Sequence, residues 1–185
     1  MIYPIVLFGD PVLRKETQDI PIGSDIKELV ADMFETMHAA SGVGLAAPQI
    51  GKALRLFIVD STPMHDEEEE VKPLVEAFIN PEILEEDGEE WAFEEGCLSI
   101  PGIREDVTRP ETVKIKYYDA DWNEHVEEFD DIKARIIQHE YDHVEGVLFT
   151  DYLSPFKKRL LKKKLSDISK GKAKADYRVK VPSKR

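Results

Sequence analysis

Apolar positions recur at helical spacing in three stretches and at strand spacing between them. Ile26, Leu29, Val30, Met33 and Met37 follow a helical period. That predicts a helix with Ser24-Asp25 and Glu28 as its capping residues and Ser41-Gly42 as its end. Residues 42 to 51, with three glycines and a proline, read as a loop. Residues 54 to 60 and 74 to 79 read as buried strands, the second ended by Asn80-Pro81. Residues 83 to 93 read as strand with a turn at Asp87-Gly88; Val107 and residues 113 to 118 are extended, and residues 126 to 129 follow a turn at 119 to 123. Helical spacing returns at Ile132, Ile136 and Ile137, capped at Asp130 or Asp131 and ended by Gly146. Ser154-Pro155 opens a last helix with Pro at its first position.

Strands cluster in the middle and helices flank them. The predicted class is α+β, with mixed or antiparallel sheets around a central helix and helices at the N- and C-terminal ends. At 185 residues, 42% of them hydrophobic, the chain suits one compact domain with a real core. We read residues 1–170 as a single catalytic domain and 171–185 as a basic C-terminal tail. No apolar run is long enough to span a bilayer, so no membrane role is expected. The apolar start, Met1 to Phe8, lacks the basic leader and cleavage site of an export signal and reads as a strand or packed arm. One cysteine excludes an internal disulfide, and the cytoplasm is the expected location.

Charge adds one asymmetry. The net charge is −13, yet from Phe156 onward 13 Lys and Arg stand against 2 Asp and Glu. An acidic body with a basic end points to a polyanionic partner for that end. Phe156, Leu160, Leu161 and Leu165 lie near one helical stripe among the lysines, a pattern that suits docking on the body with cations turned outward. A merely solubilising tail is the alternative. The run Asp66 to Glu70 reads as a solvated insertion.

The chemistry sits on the second helix, in Gln138-His139-Glu140-Tyr141-Asp142-His143. Two His at i and i+4 project from one face and can grip one metal ion, with the Glu beside its open position. Ile132, Ile136, His139 and His143 share one stripe, which argues against a solvated surface pair. A helix supplies two ligands only, and no His follows His143. The third candidate is Cys97, in Glu95-Gly96-Cys97-Leu98-Ser99. Cys with two His leaves a fourth tetrahedral position for water, the layout of a catalytic site.

Three segments resemble the peptide deformylase family, in its order and at similar separations: Gly42-Val43-Gly44-Leu45-Ala46-Ala47-Pro48-Gln49, Glu95-Gly96-Cys97-Leu98-Ser99, and the His-Glu-x-x-His segment. Gly9 to Arg14 and Ile79-Asn80-Pro81 resemble minor family motifs, and the likeness covers roughly residues 1 to 155. It implies removal of the N-formyl group from the initiator Met of nascent polypeptides, with release of formate. It also implies one divalent metal on Cys97, His139 and His143, ferrous iron in the cell, with zinc, nickel and cobalt accepted too. Glu140 becomes the proton-transfer residue, and the Gln49 amide and Leu98 backbone N–H the donors to the formyl oxygen; losing one such donor costs about 3–4 kcal/mol of transition-state stabilisation.

Val43, Phe93, Ile132 and Ile136 are candidate walls of a pocket for the Met side chain, or plain core. Gly44 and Gly96 would let the peptide pair along extended backbone. Arg104 is a candidate contact to the peptide, with a solvated Arg as the alternative. Glu95 and Asp142 are candidate partners for arginines or for the His ligands. The family's C-terminal helix implies a ribosome partner for the basic end. Two other classes compete: a metallopeptidase sharing the helix signature, and a non-catalytic ribosome-associated binder with a structural metal. The Cys97 segment argues against the first and the presence of Glu140 against the second.

Overall fold

The computed structural model describes residues 1–183. In chain order its elements are β1 (Ile5–Val6), α1 (Lys27–Ala39), β2 (Gly44–Ala46), β3 (Leu56–Asp60), β4 (Val75–Cys97), β5 (Ile100–Tyr118), β6 (Glu124–Asp130), α2 (Asp131–Val144), α3 (Pro155–Ser169) and β7 (Val179–Lys180). Strands β2 to β6 form one antiparallel sheet in chain order, and β1 pairs with β7 in a separate parallel pair. This is the α+β arrangement expected.

The run Leu56 to Val59 is continuously apolar because β3 is covered on both faces. Leu56 and Ile58 pack with Met33 and Met37 of α1 on one side. Phe57 and Val59 pack with Ala134, Ile137 and Val144 of α2 on the other. Successive side chains of a strand point to opposite faces, so a strand between two helices has no position for a polar residue. The α2 face is reinforced by Phe57 stacked on Phe78 at 4.8 Å between ring centroids, with Tyr117 beyond at 4.2 Å from Phe78. A third apolar cluster joins Ile100, Ile103 and Val107 of β5 to Phe149, Leu161 and Ile168.

Several boundaries differ from the sequence pattern, each for a local reason. Helix α1 starts at Lys27 with Ile26 at its cap position and no side-chain cap; the Ser24 hydroxyl instead donates to the Pro21 carbonyl. Asn80-Pro81 does not end β4. Asn80 takes φ +50 in a bulge, and its amide exchanges two hydrogen bonds with the Ile20 backbone, each 2.8 Å. Asp87-Gly88 likewise forms a bulge, Gly88 at φ +85, within a strand that continues to Cys97. The hairpin turn is instead Leu98-Ser99, between Cys97 and Ile100. Residues 42–51 hold β2 and a 3-10 turn, Ala47–Ile50.

The body-facing stripe of α3 is Leu161, Leu165 and Ile168, while Phe156 and Leu160 stay largely exposed, at 61% and 64%. Leu161 lies one residue past Leu160, so the two point about 100° apart and only one can face the body. Among the described residues, no helix is long and apolar enough to cross a membrane.

Candidate metal centre

Cys97 ends β4 at the hairpin turn, and α2 crosses the sheet so that His139 and His143 come up beside it. One ligand atom from each lies within 4.8 Å of the others. Cys97 Sγ is 3.4 Å from His143 Nε2. Bonds of about 2.3 Å to sulfur and 2.05 Å to nitrogen at a tetrahedral angle place those atoms about 3.6 Å apart. The donor set fits one small cation of borderline softness.

His139 presents Nε2 to this point because its Nδ1 is 2.8 Å from Glu95 Oε1. Glu95 is buried and held from three sides. Arg109 Nε and Nη2 donate to it at 2.7 and 3.0 Å, and Arg135 Nη1 at 2.8 Å. Arg109 Nη1 also donates to Asp142 at 2.8 Å, and Arg135 donates to the carbonyls of Val107 and Trp91, each at 2.7 Å. Burial alone raises the Glu95 pKa; the His139 ring and the Arg109 guanidinium overcome it and hold the carboxyl well below its usual range. Glu95 and Asp142 thus carry the arginine and His partners expected of them. Which arginines fill that role was not read from the sequence, although Arg109 shares the inward parity of Val107, Val113 and Ile115 along β5.

Burial drives the His143 pKa well below its ordinary value, which keeps the ring neutral, as a ligand must be. Burial opposes a proton on His139, but the Cys97 sulfur and the Glu95 carboxylate favour it more strongly; a bound cation would take that proton's place.

Glu140 lies on the same turn of α2, its Oε1 4.0 Å from His139 Nε2. Its other oxygen, Oε2, is buried without a hydrogen-bond partner. Burial pushes its pKa up to about 7, with the nearby His139 pulling the other way. The carboxyl fits because Gly44 faces it: a Cβ there would meet Glu140 Oε1 at 2.5 Å and Cγ at 2.7 Å.

Gln49 is buried on the 3-10 turn after β2. Its Oε1 accepts from the Ala46 N–H at 2.9 Å, so its Nε2 points the other way, donating to Ser99 Oγ at 3.2 Å and Cys97 Sγ at 3.4 Å. The residue the sequence offered as a loop amide is therefore aimed at the ligand sulfur.

A cleft of about 600 Å³ opens over the centre. Its walls include every candidate pocket or peptide residue: Val43, Gly44, Phe93, Gly96, Arg104, Ile132 and Ile136. Arg104 is drawn aside by an exposed pair with Glu94 at 2.8 Å. Pro63, Met64 and the segment from Lys174 to Tyr177 also line it, and no short-range pattern in the sequence announces them.

Known proteins match this chain closely. The family profile described as polypeptide deformylase covers residues 2–159. A peptide deformylase of Cytophaga hutchinsonii is 60% identical over 100% of both chains. Among solved structures, the peptide deformylase from Thermotoga maritima is 42% identical at a TM-score of 0.74, covering 84% of this chain and 99% of that one. The peptide deformylase from Ehrlichia chaffeensis, in complex with actinonin, is 34% identical at a TM-score of 0.82, covering 94% and 99%.

Proposed function

The chain belongs to the polypeptide deformylase family, a metal-dependent hydrolase that takes the N-formyl group from the initiator Met of nascent polypeptides and releases formate, and from that premise we propose how its own residues carry the reaction. Cys97, His139 and His143 hold the metal through sulfur and the two Nε2 atoms. The observation that carries this reading is their convergence within 4.8 Å beneath a cleft, beside a buried carboxylate oxygen that has no partner. When bound, the ion supplies Lewis acidity and brings the pKa of water it holds to about 7 in favourable cases.

The Glu140 carboxylate takes the proton from the attacking water and returns it to the leaving amine. Its raised pKa suits both directions of transfer near neutral pH. Gln49 Nε2 and the Leu98 N–H donate to the formyl oxygen as charge builds on it. Glu95, pinned by Arg109 and Arg135, keeps the His139 ring from rotating away.

The peptide lies extended between two free strand edges. Strand β2 ends the sheet, and β4 beyond Asp87 pairs with β5 alone. Backbone at Val43-Gly44 on one side and Gly96 on the other then pairs with the peptide, as in strand addition. Phe93, Ile132 and Ile136 receive the Met side chain, and Arg104 lies at the mouth of the cleft. The closed site selects formyl, whose carbonyl carbon carries only hydrogen, over acetyl.

The metal is ferrous iron in the cell, with zinc, nickel or cobalt able to replace it in a thiolate-imidazole set. Cys97, as the thiolate that would hold the ion, would be the residue open to oxidation by oxygen. The reaction runs in the cytoplasm, where the substrate emerges. The basic end of the chain, presenting Phe156 and Leu160 among lysines, meets the ribosome. Reversing the charge of Lys158, Lys162 and Lys163 tests that last point; unchanged affinity for ribosomes removes it. The catalytic reading is tested by formate release from a formyl-Met-Ala peptide, with anaerobically purified protein and metal analysis. Glu140→Ala should keep the metal and lose turnover, and unchanged turnover would defeat its role.

A further inference from the structure

We propose that Tyr177 is a positioning residue for deformylation, acting through the Leu98-Ser99 turn, and that residues 174–177 form an outer wall of the peptide cleft. The proposal rests on the site reading above, in which the Leu98 N–H is a donor to the formyl oxygen.

After α3 the chain turns at Gly171, φ +73, and runs back along the N-terminal strand. The Ile5 N–H donates to the Arg178 carbonyl at 2.9 Å and the Leu7 N–H to the Lys180 carbonyl at 3.1 Å. This ladder fixes Tyr177 just before it. The Tyr177 hydroxyl then donates to the Leu98 carbonyl at 2.7 Å, and its ring packs against the same buried cluster as Tyr3 and Leu98. Lys174, Ala175, Asp176 and Tyr177 all line the cleft that holds His139 and Glu140.

The turn between ligand Cys97 and β5 has two residues, and each of its carbonyls is held. Leu98 is bound by Tyr177; Ser99 is bound by the Phe8 N–H at 2.9 Å, while its hydroxyl meets Gln49. The peptide plane that carries the Leu98 N–H is suspended between Cys97, paired with Ile100 across the hairpin, and Leu98, whose own carbonyl Tyr177 holds; Tyr177 thereby fixes one of the two hinges about which that N–H turns. A donor preset in this way lowers the barrier without first being ordered by substrate. Tyr177 touches no reacting atom; it acts only through Leu98.

The test is the metal-loaded full chain carrying Tyr177→Phe, which removes one oxygen and keeps the ring in its contacts between the β7 ladder and α1. The expected result is a fall in kcat of about five- to tenfold, because the Leu98 donor is no longer preset in its productive orientation. KM for a formyl-Met peptide and metal content should stay close to wild type, and the melting temperature should fall by only a few degrees, the cost of one lost hydrogen bond. Placing p-aminophenylalanine at position 177 restores a donor at the same point and should restore kcat. An unchanged kcat in Tyr177→Phe, with or without a change in KM, overturns the proposal, as does a fall that the amino analogue does not repair. A wild-type chain that releases no formate would instead sink the reading on which the proposal rests.

Discussion

Gly44→Ala is the substitution whose outcome the structure fixes most tightly. Gly44 does not lie in the left-handed region, so alanine meets no backbone strain there. Its cost is contact alone. The new Cβ would sit 2.5 Å from Glu140 Oε1, 2.7 Å from Cγ and 2.8 Å from the carboxyl carbon, where ordinary contact begins at 3.4 Å. Strand β2 has little room to retreat, because Gly44 pairs with Val59 in the sheet behind it. Glu140 must yield instead, and its three atoms have to shift by about 0.6 to 0.9 Å to reach ordinary contact; a misplacement approaching 1 Å costs on the order of 100-fold in rate. That corresponds to about 2.7 kcal/mol in the barrier. Overpacking should cost about 1–3 kcal/mol of stability, offset in part by the lost freedom of the unfolded glycine. None of the atoms in the clash belongs to Cys97, His139 or His143, so metal content should match wild type. Formate release, metal analysis and a thermal melt together read all three. A Gly44→Ala enzyme with full metal and kcat within about threefold of wild type would refute the reasoning, since the proton-transfer carboxylate would then tolerate displacement.

Gly96→Ala is the contrasting case: its Cβ would meet Arg104 Nη1 at 2.8 Å, but that guanidinium ends an exposed, flexible side chain. It should swing away, leaving kcat within about threefold of wild type; a loss as deep as that of Gly44→Ala would show that something other than the Arg104 contact matters. Arg109→Leu leaves Asp142 and part of Glu95 uncompensated in the interior, and urea unfolding should show a loss of about 3–5 kcal/mol. Metal affinity should also fall about 10- to 100-fold as the carboxylate behind His139 loosens; unchanged affinity would separate Arg109 from the metal centre. His125 should titrate above 6.5, because its bond to Asp119 at 2.7 Å favours the protonated ring more than burial opposes it. Its contribution to stability is then present below pH 6.5 and lost as pH rises through the folded pKa; NMR titration of wild type and Asp119→Asn should show the value drop in the variant, and equal values would remove the pair.

What the residues announced and what they hid divide by range. The His139 and His143 pair was legible because one helical turn sets their spacing, and the stripe through Ile132 and Ile136 gave the face. The direction of that face was not legible: Ile132, Ile136, His139 and Glu140 line the cleft, while Ala134, Ile137 and Val144 face the core. Both faces of α2 are apolar, so periodicity alone does not choose between them. Strand ends were misread at Asn80 and Gly88 for a different reason. Turn-forming residues also make bulges, and only partners distant in sequence, such as Ile20 against Asn80, decide which. Tyr177 lay deepest of all, since a carbonyl 79 residues away gives it its place.

Glu95, Arg109, Arg135 and Asp142 bring two negative and two positive side chains into the interior next to the ligands. Burying Glu95, Arg109 and Arg135 beside a half-buried Asp142 is a poor route to stability, since desolvation offsets most of the attraction. Their arrangement accounts for their presence better. Glu95 spends one oxygen on His139 and shares both with arginines, so the ring orientation inherits the rigidity of two planar guanidinium groups. Those groups in turn tie β5 and α2 together: Arg109 reaches Asp142 on the helix, and Arg135 reaches the Val107 carbonyl on the strand. The histidine pair on α2 and Cys97 on β4 come from separate elements, which meet at the 3.4 Å contact of Cys97 Sγ with His143 Nε2. The charge network locks helix against strand at that point, and a cation added there meets ligands already in place.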